Sequence, residues 1–183
     1  MITKTKKVIT KDVQSENVVI QDTSIWQNAL RLFYLLCLTM AVGYIGSTFT
    51  SPEALKWYDT LILSDLTPPN NWFGPVWSVL YFLMAISAFL VWGKASPRPF
   101  VMQLAFNLIW PFAFFYLKNP VLAFVILIAM VVFIVKTICS FGRVSLLSGW
   151  LMVPVLLWSL FAGYLNVIVI VYNTKIGSWL GIV

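Results

Sequence analysis

The chain has 183 residues, of which 61% are hydrophobic and 10% charged, with a net charge of +6 and no histidine. A water-exposed domain of this size carries charge on about a quarter of its residues, so its apolar surface here must face lipid. The Lys and Arg residues lie in the N-terminal segment and short loops rather than on one face, which fits lipid headgroups and topology signals and excludes a nucleic-acid partner. Two cysteines, Cys37 and Cys139, make no disulfide framework, and without histidine neither a metal centre nor a His-ligated haem is expected.

Residues 1–28 are polar and of mixed charge, with Lys4, Lys6, Lys7 and Lys11 set against Asp12, Glu16 and Asp22. They lack the apolar core of a signal peptide and read as a flexible tail preceding one transmembrane domain over 29–183. Five apolar segments follow, at 29–49, 74–92, 100–117, 120–138 and 148–172. Each is near the roughly 20 residues that span a bilayer as a helix, and strands with open edges are not tolerated there. The expected fold is therefore an all-α bundle of five transmembrane helices. Pro75 and Pro120 are expected at helix starts, and Lys118-Asn119 forms a tight hairpin between the third and fourth helices. Nine of the twelve Lys and Arg residues fall on the N-terminal side, three on the other. The positive-inside rule then places the N-terminus in the cytoplasm of a multi-pass protein, in the cell membrane if the host is prokaryotic.

The first loop, residues 50–73, is the one long connection. Its acids Glu53, Asp59 and Asp65 are joined by Leu55, Trp57, Tyr58, Leu61, Ile62 and Leu63, and this apolar content reads as a packed lid. In the third span Gln103, Asn107, Trp110 and Phe114 fall on one stripe, with Pro111 leaving the Asn107 carbonyl without its usual donor. The fifth span repeats the arrangement with Pro154, Trp158, Ala162 and Asn166, and the second offers Trp77, Tyr81 and Ala85 or Ala88. Amides in hydrocarbon need partners, so both amide stripes are expected to face inward and to frame a pocket for a flat apolar ligand. The competing reading is that the amides simply bridge helices. Trp26, Trp57, Trp72, Trp92, Trp150 and Trp179 lie near membrane edges and read as belt or lid, whereas Trp110 and Trp158 lie near mid-membrane, where no belt needs them. The spans hold no Asp or Glu, and Lys136 is near enough to an end to snorkel, so no proton relay is available. Nor is there any triad, metal cluster or carboxylate pair for ordinary catalysis.

Several stretches resemble one family. Pro68-Pro69 followed by Phe73-Gly74-Pro75-Val76-Trp77 and Leu80-Tyr81, the run from Gln103 to Pro111, and Trp150-Leu151, Pro154, Trp158, Phe161-Ala162 and Leu165-Asn166 are similar to motifs of the tryptophan-rich sensory protein/translocator protein family. Trp57-Tyr58 resembles the Trp-Tyr pair of that family's first loop. The resemblance runs in order from about residue 29 to 173. It implies a five-helix bundle with a lidded pocket that binds protoporphyrin IX, haem, sterols and benzodiazepine-type ligands, with porphyrin as ligand and no obligatory cofactor. It carries Trp77, Tyr81, Asn107, Trp110, Trp158 and Ala162 over as pocket-lining. It further implies that Trp77 and Trp158 take part in light-dependent porphyrin breakdown, should that occur. Sensing is the first functional reading, transport of tetrapyrroles or sterols the alternative, and an enzymatic role is left uncertain. Ile168 and Val171 stand where a sterol motif would place Tyr and a basic residue. Gly43 and Ser47 form an ordinary small-residue packing pair that leaves a homodimer open.

Overall fold

The structure is a computed structural model that describes the backbone of residues 2–174 and the side chains of residues 24–174. The described residues contain helices and connecting loops: α1 (Ile2–Thr48), α2 (Pro52–Tyr58), α3 (Asn70–Leu90), α4 (Arg98–Pro111), a π-helical turn (Phe112–Tyr116), α5 (Pro120–Gly142) and α6 (Leu146–Asn173). Five stretches are long and apolar enough to cross a membrane: Ser24–Thr48, Asn70–Leu90, Arg98–Tyr116, Pro120–Gly142 and Leu146–Asn173. The chain divides into units 1–34 and 35–183. In the first, α1 is helical from Ile2, and Ile25, Trp26, Leu30 and Phe33 are exposed, as suits residues that meet lipid. The expectation of a flexible tail falls largely on side chains outside the described residues, and Trp179 lies outside them too.

In the second unit α5 packs along α6 and α4, and α6 along α3. The core between them is built from Leu80, Met84, Ala85, Leu104, Met130, Ile134, Met152 and Val155. Two close approaches fix the helices. Gly149 meets the α5 terminus so closely that a Cβ there would stand 3.1 Å from Gly142 Cα, so a side chain would press the two backbones apart by a few tenths of an ångström. At the adjoining residue, Ser87 Oγ donates to the Ser148 carbonyl at 2.8 Å while Ser148 Oγ donates to the Ser87 carbonyl at 2.6 Å. Both hydroxyls thus find partners between helices, as hydrocarbon demands.

Two proline expectations separate here. Pro120 stands at the first turn of α5, where Asn119 caps by accepting from Leu122 N at 3.0 Å. Pro75 lies within α3, which begins earlier, at Asn70. The carbonyl it leaves without a donor is that of Asn71, an exposed residue in the first turn, where headgroup water can bond it. Pro111 closes the regular part of α4, where Phe112 N donates to the Ile109 carbonyl, and the chain continues as a π-helical turn. Lys118, in the left-handed region at φ 50°, then reverses the chain into α5.

A candidate ligand cavity

The α4 stripe faces inward as its spacing requires. Steps of 4, 3 and 4 residues keep Gln103, Asn107, Trp110 and Phe114 within a narrow arc, and all but the half-buried Trp110 are buried. The α6 stripe behaves differently. Steps of four advance about 400°, so the row drifts by roughly 40° each time. Pro154 is consequently exposed, against the inward position expected for it, while Trp158 and Ala162 are half-buried and Asn166 is 1% exposed. On α3, Tyr81, Ala85 and Ala88 are all buried, and Trp77 is half-buried above them.

These faces enclose a cavity of about 550 Å³ that also takes in the first loop and α1 from Met40 onward. Of the residues named from sequence, Trp77, Tyr81, Asn107, Trp110, Phe114, Trp158, Ala162 and Asn166 line it. Two do not. Trp57 packs its ring edge-on against Phe114 at 5.7 Å and so supports the wall from behind. Gln103 sits one turn below Asn107, where its Nε2 donates to Met84 Sδ at 3.6 Å. The loop reaches the cavity instead through Leu55, Tyr58, Leu63 and Thr67. Burial, and to a lesser degree the charge of Asp59, pushes the Tyr58 hydroxyl above its ordinary range, so it stays a neutral group.

The polar groups are few and placed. Tyr81 OH donates to Asn107 Oδ1 at 2.5 Å, which spends the amide oxygen and leaves its NH₂ as the group not engaged by that bond. Asn166 Nδ2 donates to the Pro120 carbonyl at 2.9 Å and ties α6 to the start of α5. Each amide therefore bridges helices and lines the cavity, so the two readings of these residues hold together. Four buried side-chain polar atoms among the described residues have no partner, and three belong to lining residues: Trp110 Nε1, Trp158 Nε1 and Asn166 Oδ1. No described lining residue is charged. Such a surface, aromatic walls with a handful of fixed dipoles, suits a flat apolar ring system.

Three features escaped the sequence reading. Gly43 receives the Tyr81 ring as well as marking a small-residue pair: a Cβ there would collide with Tyr81 Cε2. Ser47 faces the cavity rather than a neighbouring helix and is exposed. Asn173 and Tyr164 fasten the loop. Ile62 N donates to Asn173 Oδ1 at 2.8 Å, Asn173 Nδ2 donates to the Ile62 carbonyl at 2.9 Å, and Ser64 Oγ lies 3.1 Å from Tyr164 OH. The apolar residues of the loop point to a lid. An amide more than a hundred positions away gives no local signal that it closes one.

Comparison with known proteins agrees with this architecture. The TspO/MBR family profile matches residues 33–172. The chain is 36% identical over 152 residues to the tryptophan-rich protein TspO of Chlorobaculum tepidum, covering 79% of this chain and 96% of that one. It is 34% identical over 152 residues to the protein of the same name from Archaeoglobus fulgidus, covering 80% and 99%. The human translocator protein is 33% identical over 132 residues, covering 67% of this chain and 78% of its own length. The order of helices, the inward α4 stripe and the matched span together show that this integral multi-pass membrane protein belongs to the TspO/MBR family.

Proposed function

We propose that this protein binds porphyrins such as protoporphyrin IX and haem in the cavity between α1, α3, α4 and α6, and acts in sensing or handling tetrapyrroles. The observation that carries the reading is the convergence of Trp77, Trp110 and Trp158, from three helices, on one uncharged cavity. Indole faces stack on a flat macrocycle, and each aromatic pair contributes about 0.5–1.5 kcal/mol beyond burial. The absence of charge in the lining directs the ring inward and leaves ionised carboxylates at the edge, since a buried unpaired charge is costly. Trp77 and Trp158 are also the side chains that could give an electron to a photoexcited ring, which makes slow light-dependent breakdown a subsidiary outcome of binding. The porphyrin is ligand, not cofactor.

Titration of the purified protein with protoporphyrin IX, followed by tryptophan emission, tests the reading. Saturable quenching is expected. Trp158→Phe should weaken binding by roughly threefold to tenfold, the equivalent of one aromatic contact. Asn107→Leu should weaken it by a similar factor, because Tyr81 loses the acceptor that fixes it. Variants that titrate like the wild type would refute this cavity as the site.

The name of the mammalian relatives, translocator protein, favours a second reading in which the ligand crosses the membrane. Uptake of protoporphyrin into sealed proteoliposomes separates the two: binding without uptake supports the sensor.

A further inference from the structure

The cavity wall is not closed on every side. Six lining residues are at the same time exposed: Met40, Tyr44 and Ser47 on α1, and Asn70, Gly74 and Ser78 on α3. Within each helix these positions are spaced by three or four residues, so each set forms a single edge. Tyr44, in the middle of one edge, is 75% exposed. Gly74, in the middle of the other, has no atom within 4 Å of the place a Cβ would take. The two helices touch within this stretch, where Gly43, between Met40 and Tyr44, meets the Tyr81 ring and bounds the opening on the α3 side beyond Ser78. The result is a slit along the membrane-spanning part of two helices.

We infer that the ligand enters and leaves sideways, from the bilayer, through the slit between α1 and α3. This deepens the binding reading above and rests on it. Passage through the first loop would break both Asn173–Ile62 bonds and the Ser64–Tyr164 contact, and would lift Tyr58 from Phe114 and Phe115. Passage through the slit breaks none of these. The slit also faces the phase in which a flat apolar ring system concentrates, and its edges carry hydroxyls, an amide and a thioether but no charge that would have to be stripped of water. The loop in this account is a fixed roof. The ligand class it implies is an uncharged or edge-charged planar ring dissolved among lipid tails, not a solute taken from water.

The test uses the full chain in lipid nanodiscs, with protoporphyrin IX as probe and stopped-flow tryptophan emission as readout. Gly74→Phe and Ser78→Phe place a ring in the slit at exposed helical positions, where thermal unfolding checks that the bundle is intact. Both rate constants, association and dissociation, should fall together by about tenfold in each variant, since a barrier slows both directions, while their ratio moves far less. Asn173→Ala, which loosens the roof, should leave both rates unchanged. Wild-type rates in both slit variants would overturn the inference, and faster rates in Asn173→Ala would assign entry to the loop instead. A changed dissociation rate alone would also overturn it, by showing that the new ring touches bound ligand without gating its path. Failure of the wild type to quench at all is a distinct result that removes the binding reading itself.

Discussion

At the scale of single residues, the cavity depends on a chain of contacts that starts at a glycine. Gly43 lets the Tyr81 ring lie against the α1 backbone, the ring lies 5.7 Å from Trp77, and its hydroxyl orients Asn107. Gly43→Ala should therefore cost more than its one methyl suggests. Tyr81 cannot swing aside without losing the Asn107 bond, so about 1–3 kcal/mol of overpacking is expected, read as a lower unfolding temperature in detergent. An unchanged transition would mean that the ring has room elsewhere. Much of this inventory was legible beforehand, because amides and mid-membrane indoles are costly anywhere but an interior face. Gly43 was not. A small residue on a membrane helix has the same spacing whether it admits a neighbouring backbone or a tyrosine from a helix some forty residues on.

Among elements, α4 and the first loop differ most in how far sequence pattern reaches. The rows from Gln103 to Phe114 were readable because their steps match the helical period, and Pro154 failed because four-residue steps drift off it. The loop's α2 was hidden within a segment readable only as apolar. Its local signals, the N-cap Ser51 accepting from Ala54 N at 3.2 Å and Pro52 beside it, define a helix of just seven residues. The fastening of the loop to α6 could not be read at all, since Asn173 acts over a separation of 111 residues. Asn173→Ala removes its two bonds to the Ile62 backbone and one to the Val169 carbonyl. Each is worth about 0.5–1.5 kcal/mol net, and the loop should open locally without unfolding the bundle. Hydrogen exchange over residues 60–67 should accelerate while α5 and α6 keep their protection; uniform protection would show that the apolar contacts alone hold the loop.

For the whole molecule, hydropathy and length were enough for the five spans, because lipid permits so few backbone solutions. Their ends moved by up to about five residues, as polar turns such as Asn70-Asn71 continue a helix into the headgroup region where hydropathy no longer marks it. The basic residues, nine on one side and three on the other, carry an expectation of orientation for labelling to test. On that count a cysteine at Asp65 in the first loop should react with a membrane-impermeant maleimide from outside intact cells. One at Ser96, between α3 and α4, should react after permeabilisation only. The reverse pattern would invert the protein in the membrane without altering its cavity.

The central claim is that ligand binding is reported by indoles inside the bundle and not by those at its surface, and two complementary proteins test it. In one, the exposed Trp26, Trp72, Trp92 and Trp150 are replaced by phenylalanine; in the other, Trp77, Trp110 and Trp158 are replaced instead. Titrated with protoporphyrin IX, the first should keep saturable quenching and an affinity near that of the wild type, and the second should lose both. Retention of saturable binding by the second protein, or its loss from the first, would contradict the account.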